Sequence, residues 1–117
     1  MNEMKITHII AEFHGCDKKL ISRSDAIKKI FENAVGVAKL TKVRSYYHQF
    51  RPTGVTGMIL LKESHISIHT WPEYGYAAID LFGCGDRKKI IDAYENILKE
   101  LKPSKAVKKE IKRGIWF

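Results

Sequence analysis

The run Glu63–Phe82, ESHISIHTWPEYGYAAIDLF, carries two serines, two histidines, a tryptophan and three carboxylates, and Cys84 follows between Gly83 and Gly85. It holds no Lys or Arg, although the chain has a net charge of +8. These residue types suit several chemistries. A hydrolytic Ser64 would want a glycine two residues away on each side, and that elbow is missing. Neither His65 nor His69 stands in a triad order, so a serine hydrolase is disfavoured. The two histidines lie four apart, which on a helix would aim both at a zinc ion. Ile66, Ile68 and Thr70 favour a strand instead. On a strand, positions 65, 67 and 69 share a face, so the pair still points one way. His14, Cys16 and Cys84 are the other candidate ligands, but their spacing matches no common zinc framework, and no metal is expected. Cys84 reads either as a small residue buried in a turn or as an exposed thiol able to give or take a proton. With Glu63 directly before it, and His69 and Cys84 close by, Ser64 has a further reading. On that reading it is the precursor of a reactive group rather than a nucleophile toward substrate.

The elements that must position these side chains follow from periodicity. Residues 5–13 read as a strand with Ile6, Ile9, Ile10 and Phe13. Residues 15–22 read as a turn region. Ser22 or Ser24 is a candidate cap for a helix to about Val35, with Ala26, Ile27, Ile30, Phe31, Ala34 and Val35 on one face and Gly36 near its end. Strands are expected at 41–50, 55–61, 64–70 and 76–82, with turns at Arg51–Gly54 and Pro72–Gly75. Asp86 can cap a second helix to about Leu101, striped by Ile90, Ile91, Tyr94, Ile97, Leu98 and Leu101, and Pro103 stops it. Lys105–Arg113 reads as a last edge strand guarded by lysines. The order implies an α+β fold, an antiparallel β-sheet with two helices packed on one face. No internal linker or repeat interrupts it, so 1–117 reads as a single domain.

A chain of 117 residues buries a real but modest core. An enclosed site in so small a protein is often built between subunits, and a two-fold homodimer is expected. No run approaches the about 20 apolar residues of a membrane helix. The first residues do not begin a signal peptide, and two cysteines are too few for a disulfide framework, so the expected location is cytoplasmic. The basic residues cluster near the C-terminus without interleaved aromatics, which argues against a nucleic-acid surface. A non-enzymatic binding module on that basic surface is the alternative class. It has no need to keep Glu63-Ser64, His69 and Cys84 together.

The run ESHISIHTWPEYGYAAIDLF with its following Cys84-Gly85 closely resembles the short prokaryotic S-adenosylmethionine decarboxylase proenzymes, a self-processing pyruvoyl family. Phe13-His14-Gly15-Cys16-Asp17 and Phe50-Arg51-Pro52-Thr53-Gly54-Val55-Thr56-Gly57 extend the resemblance over most of the chain. It implies that Ser64 attacks the Glu63 carbonyl in an N-to-O acyl shift. His69 then removes the Ser64 α-proton, releasing a β chain (1–63) from an α chain (64–117) that begins with a pyruvoyl group. That group forms a Schiff base with the substrate amine and serves as electron sink for decarboxylation. Cys84 is implied as proton donor, and Thr56 as the hydroxyl that assists processing, where the family commonly has serine. Gly83 stands where a small hydroxyl residue is expected. Glu73 is implied as the ribose ligand, with Phe50 and Trp71 as candidates for stacking on the adenine or the sulfonium. The window without Lys or Arg suits a cationic substrate. The implied substrate is S-adenosylmethionine, feeding aminopropyl groups into spermidine synthesis. Relatives acting on arginine or ornithine share the processing motif.

Overall fold

The computed structural model describes residues 5–114; the N-terminal residues 1–4, weighed above for a signal peptide, and 115–117 lie outside them. Six strands, β1 (Ile6–His14), β2 (Lys42–Gln49), β3 (Val55–Leu61), β4 (Ser64–Trp71), β5 (Tyr76–Cys84) and β6 (Lys105–Ile111), form one sheet in the order β2-β3-β4-β5-β1-β6. Every neighbouring pair is antiparallel. Three helices accompany them: a short α1 (Lys18–Ile21), α2 (Ser24–Val37) and α3 (Arg87–Leu101). A single 3-10 turn at Pro72–Tyr74 joins β4 to β5.

Alternation fixes the core. Ile9, Ala11 and Phe13 of β1, Val55, Ile59 and Leu61 of β3, Ile66 and Ile68 of β4, and Ala77, Ile79 and Leu81 of β5 are buried. They share one cluster with Ile27, Ile30, Phe31, Ala34 and Val35 of α2 and Ile90, Ala93, Tyr94, Ile97 and Leu101 of α3. The opposite face carries no helix among the described residues. Tyr46, Met58 and Leu60 lie on it 71, 50 and 50% exposed. An antiparallel sheet tolerates one wet face, but large apolar side chains there mark a contact surface.

The expected strands and both long helices are present, with local differences. The region 15–22 is not only a turn: Asp17 Oδ1 accepts from Lys19 N at 2.8 Å and starts α1. Neither Ser22 nor Ser24 caps α2. Arg23 holds the cap position with no side-chain cap bond, and the Ser22 hydroxyl donates to Lys18 O at 2.6 Å. Gly36 lies inside α2, which ends beyond it at Ala38 and the left-handed Lys39. Asp86 does cap α3, accepting from Lys88 N at 3.0 Å. The strand β6 pairs only with β1, and its edge carries Lys105, Lys108 and Lys109. Lys108 also covers the Tyr94 ring from 5.0 Å. The Arg87 guanidinium meets both oxygens of Glu110, at 2.9 and 2.6 Å, and so ties the start of α3 to β6.

Gly83 faces α3, where a Cβ would come within 2.7 Å of Ile90 Cγ1. A hydroxyl residue at this position therefore has to displace a fully packed side chain. Gly83→Ser is expected to lower stability by about 1–3 kcal/mol through overpacking. Ile90→Val in the same chain should recover part of that loss, as read by urea denaturation of the two variants.

Candidate active site

The residues singled out from sequence fall into two groups at opposite ends of β4. The first group surrounds the turn between β3 and β4. Ser64 opens β4 with φ +151°, a backbone conformation sparsely populated by any residue but glycine. The Glu63 carbonyl oxygen, on the peptide that joins Glu63 to Ser64, accepts from Cys84 N at 2.9 Å and from the Cys84 thiol at 3.3 Å. Cys84 is the last residue of β5, free and exposed, so its thiol is both accessible and fixed. The Glu63 side chain accepts from Thr41 N at 3.1 Å, while Lys62 N donates to Thr41 O at 2.9 Å. Its slight burial raises the Glu63 carboxyl, but the Thr41 hydrogen bond, the residue's own N–H and the charge of Lys89 together bring it below the usual carboxylate range. The turn is thus held from both strands that flank it.

The second group lies on the uncovered face. Register places Thr56 opposite His69. Their side chains therefore stand side by side, with Thr56 Oγ1 and His69 Nδ1 3.1 Å apart. Both line an open cavity of about 270 Å³ with Phe50, Thr53, Gly54, Thr70, Trp71 and Glu73. No Lys or Arg lines it, and Glu73 is its one carboxylate. Phe50 and Trp71 are half exposed here rather than packed in the core. The 3-10 turn, closed by left-handed Gly75, carries Glu73 to the rim.

The two groups do not meet within one chain. Ser64 pairs with Gly83 and His69 with Ala78 in one unbroken register. Five residue steps of extended strand separate them, about 16 Å at the ordinary rise per residue. The other sequence candidates stay apart as well. Cys16 is buried, and burial pushes its thiol up to about 11, which removes it as a reactive group. Among the described residues, no three His, Cys, Asp or Glu side chains converge as metal ligands. His65 instead stacks on Phe82 with ring centroids 5.7 Å apart, and His8 meets the same ring edge-on at 5.1 Å.

With that geometry, the comparisons with known proteins are direct. Residues 7–114 match the family model described as S-adenosylmethionine decarboxylase. The chain belongs to this family. It is 50% identical over 107 residues to an S-adenosylmethionine decarboxylase proenzyme of Thermoplasma volcanium, covering 92% of this chain and 82% of that one. A proenzyme of the same name from Aquifex aeolicus is 47% identical over 108 residues, covering 92% and 80%. A crystal structure of the adenosylmethionine decarboxylase from Aquifex aeolicus superposes with a TM-score of 0.93 at 44% identity, covering 97% of this chain and 94% of that one.

Reasoning from sequence alone misses three residues that build the site. Thr41 anchors Glu63 from β2's approach, and its type gives no signal because the bond uses its backbone N–H. Gln49 carries no chemistry of its own, and two of its four partners, Ser22 and Ser24, lie far off in sequence. Thr70 is buried; its hydroxyl donates to Ile21 O at 2.8 Å and accepts from Val55 N at 2.9 Å. It thereby ties the cavity floor to the end of α1. Thr70→Val keeps the shape but leaves two buried backbone groups without this partner. A loss of about 1–3 kcal/mol is expected, with the thermal midpoint falling by several degrees in calorimetry.

Proposed function

We propose that this chain is a proenzyme that cuts itself between Glu63 and Ser64 and then decarboxylates S-adenosylmethionine through the pyruvoyl group so formed. The observation that carries the reading is the Glu63 carbonyl oxygen held by two donors of Cys84 beside a strained Ser64. When Ser64 Oγ attacks the Glu63 carbon, negative charge grows on that oxygen. Donors already in place stabilise it without reorganisation. The shift breaks the amide, forms an ester to Ser64 Oγ and frees the Ser64 nitrogen as an amine. Leaving the positive-φ peptide conformation favours this direction. A base then takes the Ser64 α-proton. The Oγ–Cβ bond breaks, Glu63 leaves as a carboxylate and a dehydroalanine remains at position 64. Water adds and ammonia departs, which gives a β chain of residues 1–63 and a pyruvoyl-capped α chain of residues 64–117.

The base is His69 of a second copy. About 16 Å of strand excludes His69 of the same chain. The uncovered face with Tyr46, Met58 and Leu60 supplies the contact for a two-fold homodimer. Packing two such faces brings the Ser64 end of one protomer to the Thr56–His69 cavity of the other. With Nδ1–H donated to the Thr56 hydroxyl, His69 Nε2 keeps its lone pair to accept a proton. The cavity alone is smaller than the about 300–1,000 Å³ of pockets that bury a drug-sized ligand, and a partner's wall enlarges it.

The pyruvoyl ketone supplies an electron sink for the pair released with carbon dioxide. The chain's own residues bind and protonate. Phe50 and Trp71 offer ring faces to a sulfonium or a purine, and Glu73 offers a carboxylate to ribose hydroxyls. The lining has no competing cation. Cys84, exposed at the end of β5 beside position 64, returns the proton to the substrate carbon. A cytoplasmic setting keeps that exposed thiol reduced.

Intact mass of the denatured protein should show two species that meet at Glu63/Ser64. Ser64→Ala should stay whole. Co-expression of Ser64→Ala with His69→Ala chains tests the shared site: the His69→Ala chain should be cut in the mixture, and neither variant alone. A His69→Ala chain that stays whole in the mixture would sink the two-chain reading. Thr56→Val should slow cleavage at least about tenfold, while Thr56→Ser retains it, as followed by mass over time.

A further inference from the structure

Gln49, the last residue of β2, lies outside the reacting groups, yet its amide is fully committed. Its Oε1 accepts from Ser24 N at 2.6 Å. Its Nε2 donates among the carbonyls of Ser22 at 2.9 Å, Phe50 at 2.9 Å and Gly54 at 3.0 Å. Only one orientation of the amide fits. The flipped one would set Oε1 against three carbonyls and Nε2 against an N–H. Two backbone bonds close the same unit: Phe50 N donates to Gly54 O at 2.8 Å, and Gly54 N to Ser22 O at 3.0 Å.

The bonds reach the end of α1 and the start of α2, where helices leave backbone groups unpaired. Ser24 N is such a group, and no side chain from within α2 satisfies it. Gln49 does so from the sheet. The other end of the network is the loop 50–54, three of whose residues (Phe50, Thr53 and Gly54) line the cavity. A loop of this kind belongs to the less stable part of a fold unless it is pinned.

We propose that Gln49 is a positioning residue for substrate. It fastens the loop that carries Phe50 to the Ser22–Ser24 turn, so that one wall of the cavity is in place before substrate arrives. The inference rests on the reading of this cavity as the substrate pocket. Without the anchor, substrate binding has to order the loop, and affinity falls by that cost. Self-cleavage is left alone. Glu63, Ser64 and Cys84 lie at the far end of β4, and Thr56 faces His69 through strand register rather than through the loop.

Gln49→Glu keeps the shape and the acceptor for Ser24 N but turns an oxygen toward three carbonyls. Gln49→Met keeps the length and removes every bond. Ser24→Pro removes only the donor to Oε1. Proline is well suited to the first position of a helix, and Arg23 before it is already extended at φ −120° and ψ 140°, so this variant leaves the fold intact. All three should self-cleave at the parental rate and keep kcat within about twofold. KM for S-adenosylmethionine should rise about tenfold in the Gln49 variants and by a smaller factor in Ser24→Pro. Parental KM in cleaved Gln49 variants would overturn the proposal. Equal loss of cleavage and affinity would also overturn it, since that is general loosening rather than positioning. Should the parent chain itself never cleave, it is the enzymatic reading that fails.

Discussion

β4 is straight and paired on both sides, and this constraint governs everything else about the site. Its register runs without a bulge from Ser64 against Gly83 to Trp71 against Tyr76. A strand so held cannot fold its two ends together. The Glu63–Ser64 peptide with Cys84 therefore sits at one end, and the Thr56–His69 pair with its cavity at the other. Each half is built independently, one by a turn between strands and one by side chains facing across β3 and β4. Among the described residues, no second layer covers that face to close the cavity. The same exposed face that leaves the cavity open carries the large apolar side chains Tyr46, Met58 and Leu60.

The turn at Glu63 shows how a strained backbone is kept. A positive φ at a serine costs of order 1–3 kcal/mol and persists only where neighbours over-determine it. Here they do. Thr41 takes both a main-chain bond from Lys62 and the Glu63 carboxylate, and Cys84 takes the Glu63 carbonyl. Gly83 lets β5 approach α3 closely, since Ile90 fills the space a side chain would need. Of the bonds that hold the turn, the two from Cys84 also polarise the Glu63 carbonyl.

Much of this was legible in the sequence. Alternation in β3, β4 and β5 and the apolar stripes of α2 and α3 encode the sheet and its helical cover, because burial of those side chains is what makes the elements stable. Asp86 announced its helix by a local bond to Lys88 N. The start of α2 was misread for the opposite reason. Ser22 and Ser24 are good caps by type, but Arg23 holds the cap position and the Ser24 N–H is met by Gln49, which arrives from β2. The candidate residues Ser64, His69 and Cys84 stand out by their motif, and Thr56 by its neighbourhood. Their division into two distant groups follows only from strand rise applied to the register, which no residue type reveals. Thr41 was invisible because it acts through its backbone.

Charge follows the same division of the molecule. The net charge of +8 would hinder a cationic substrate if it were spread evenly. It is not. Lys105, Lys108 and Lys109 lie along the β6 edge, where they block pairing with another sheet, and Lys42 is held by Glu32 at 2.7 Å on the other edge strand. The cavity lies between these edges with Glu73 as its charged side chain. Exposed charges more than about 10 Å away are largely screened at physiological salt. The cavity lining itself contributes the Glu73 carboxylate and the ring faces of Phe50 and Trp71, and no Lys or Arg. A basic protein can in this way present a site suited to a cation, provided its lysines stay on the edges of the sheet and off the uncovered face beside His69.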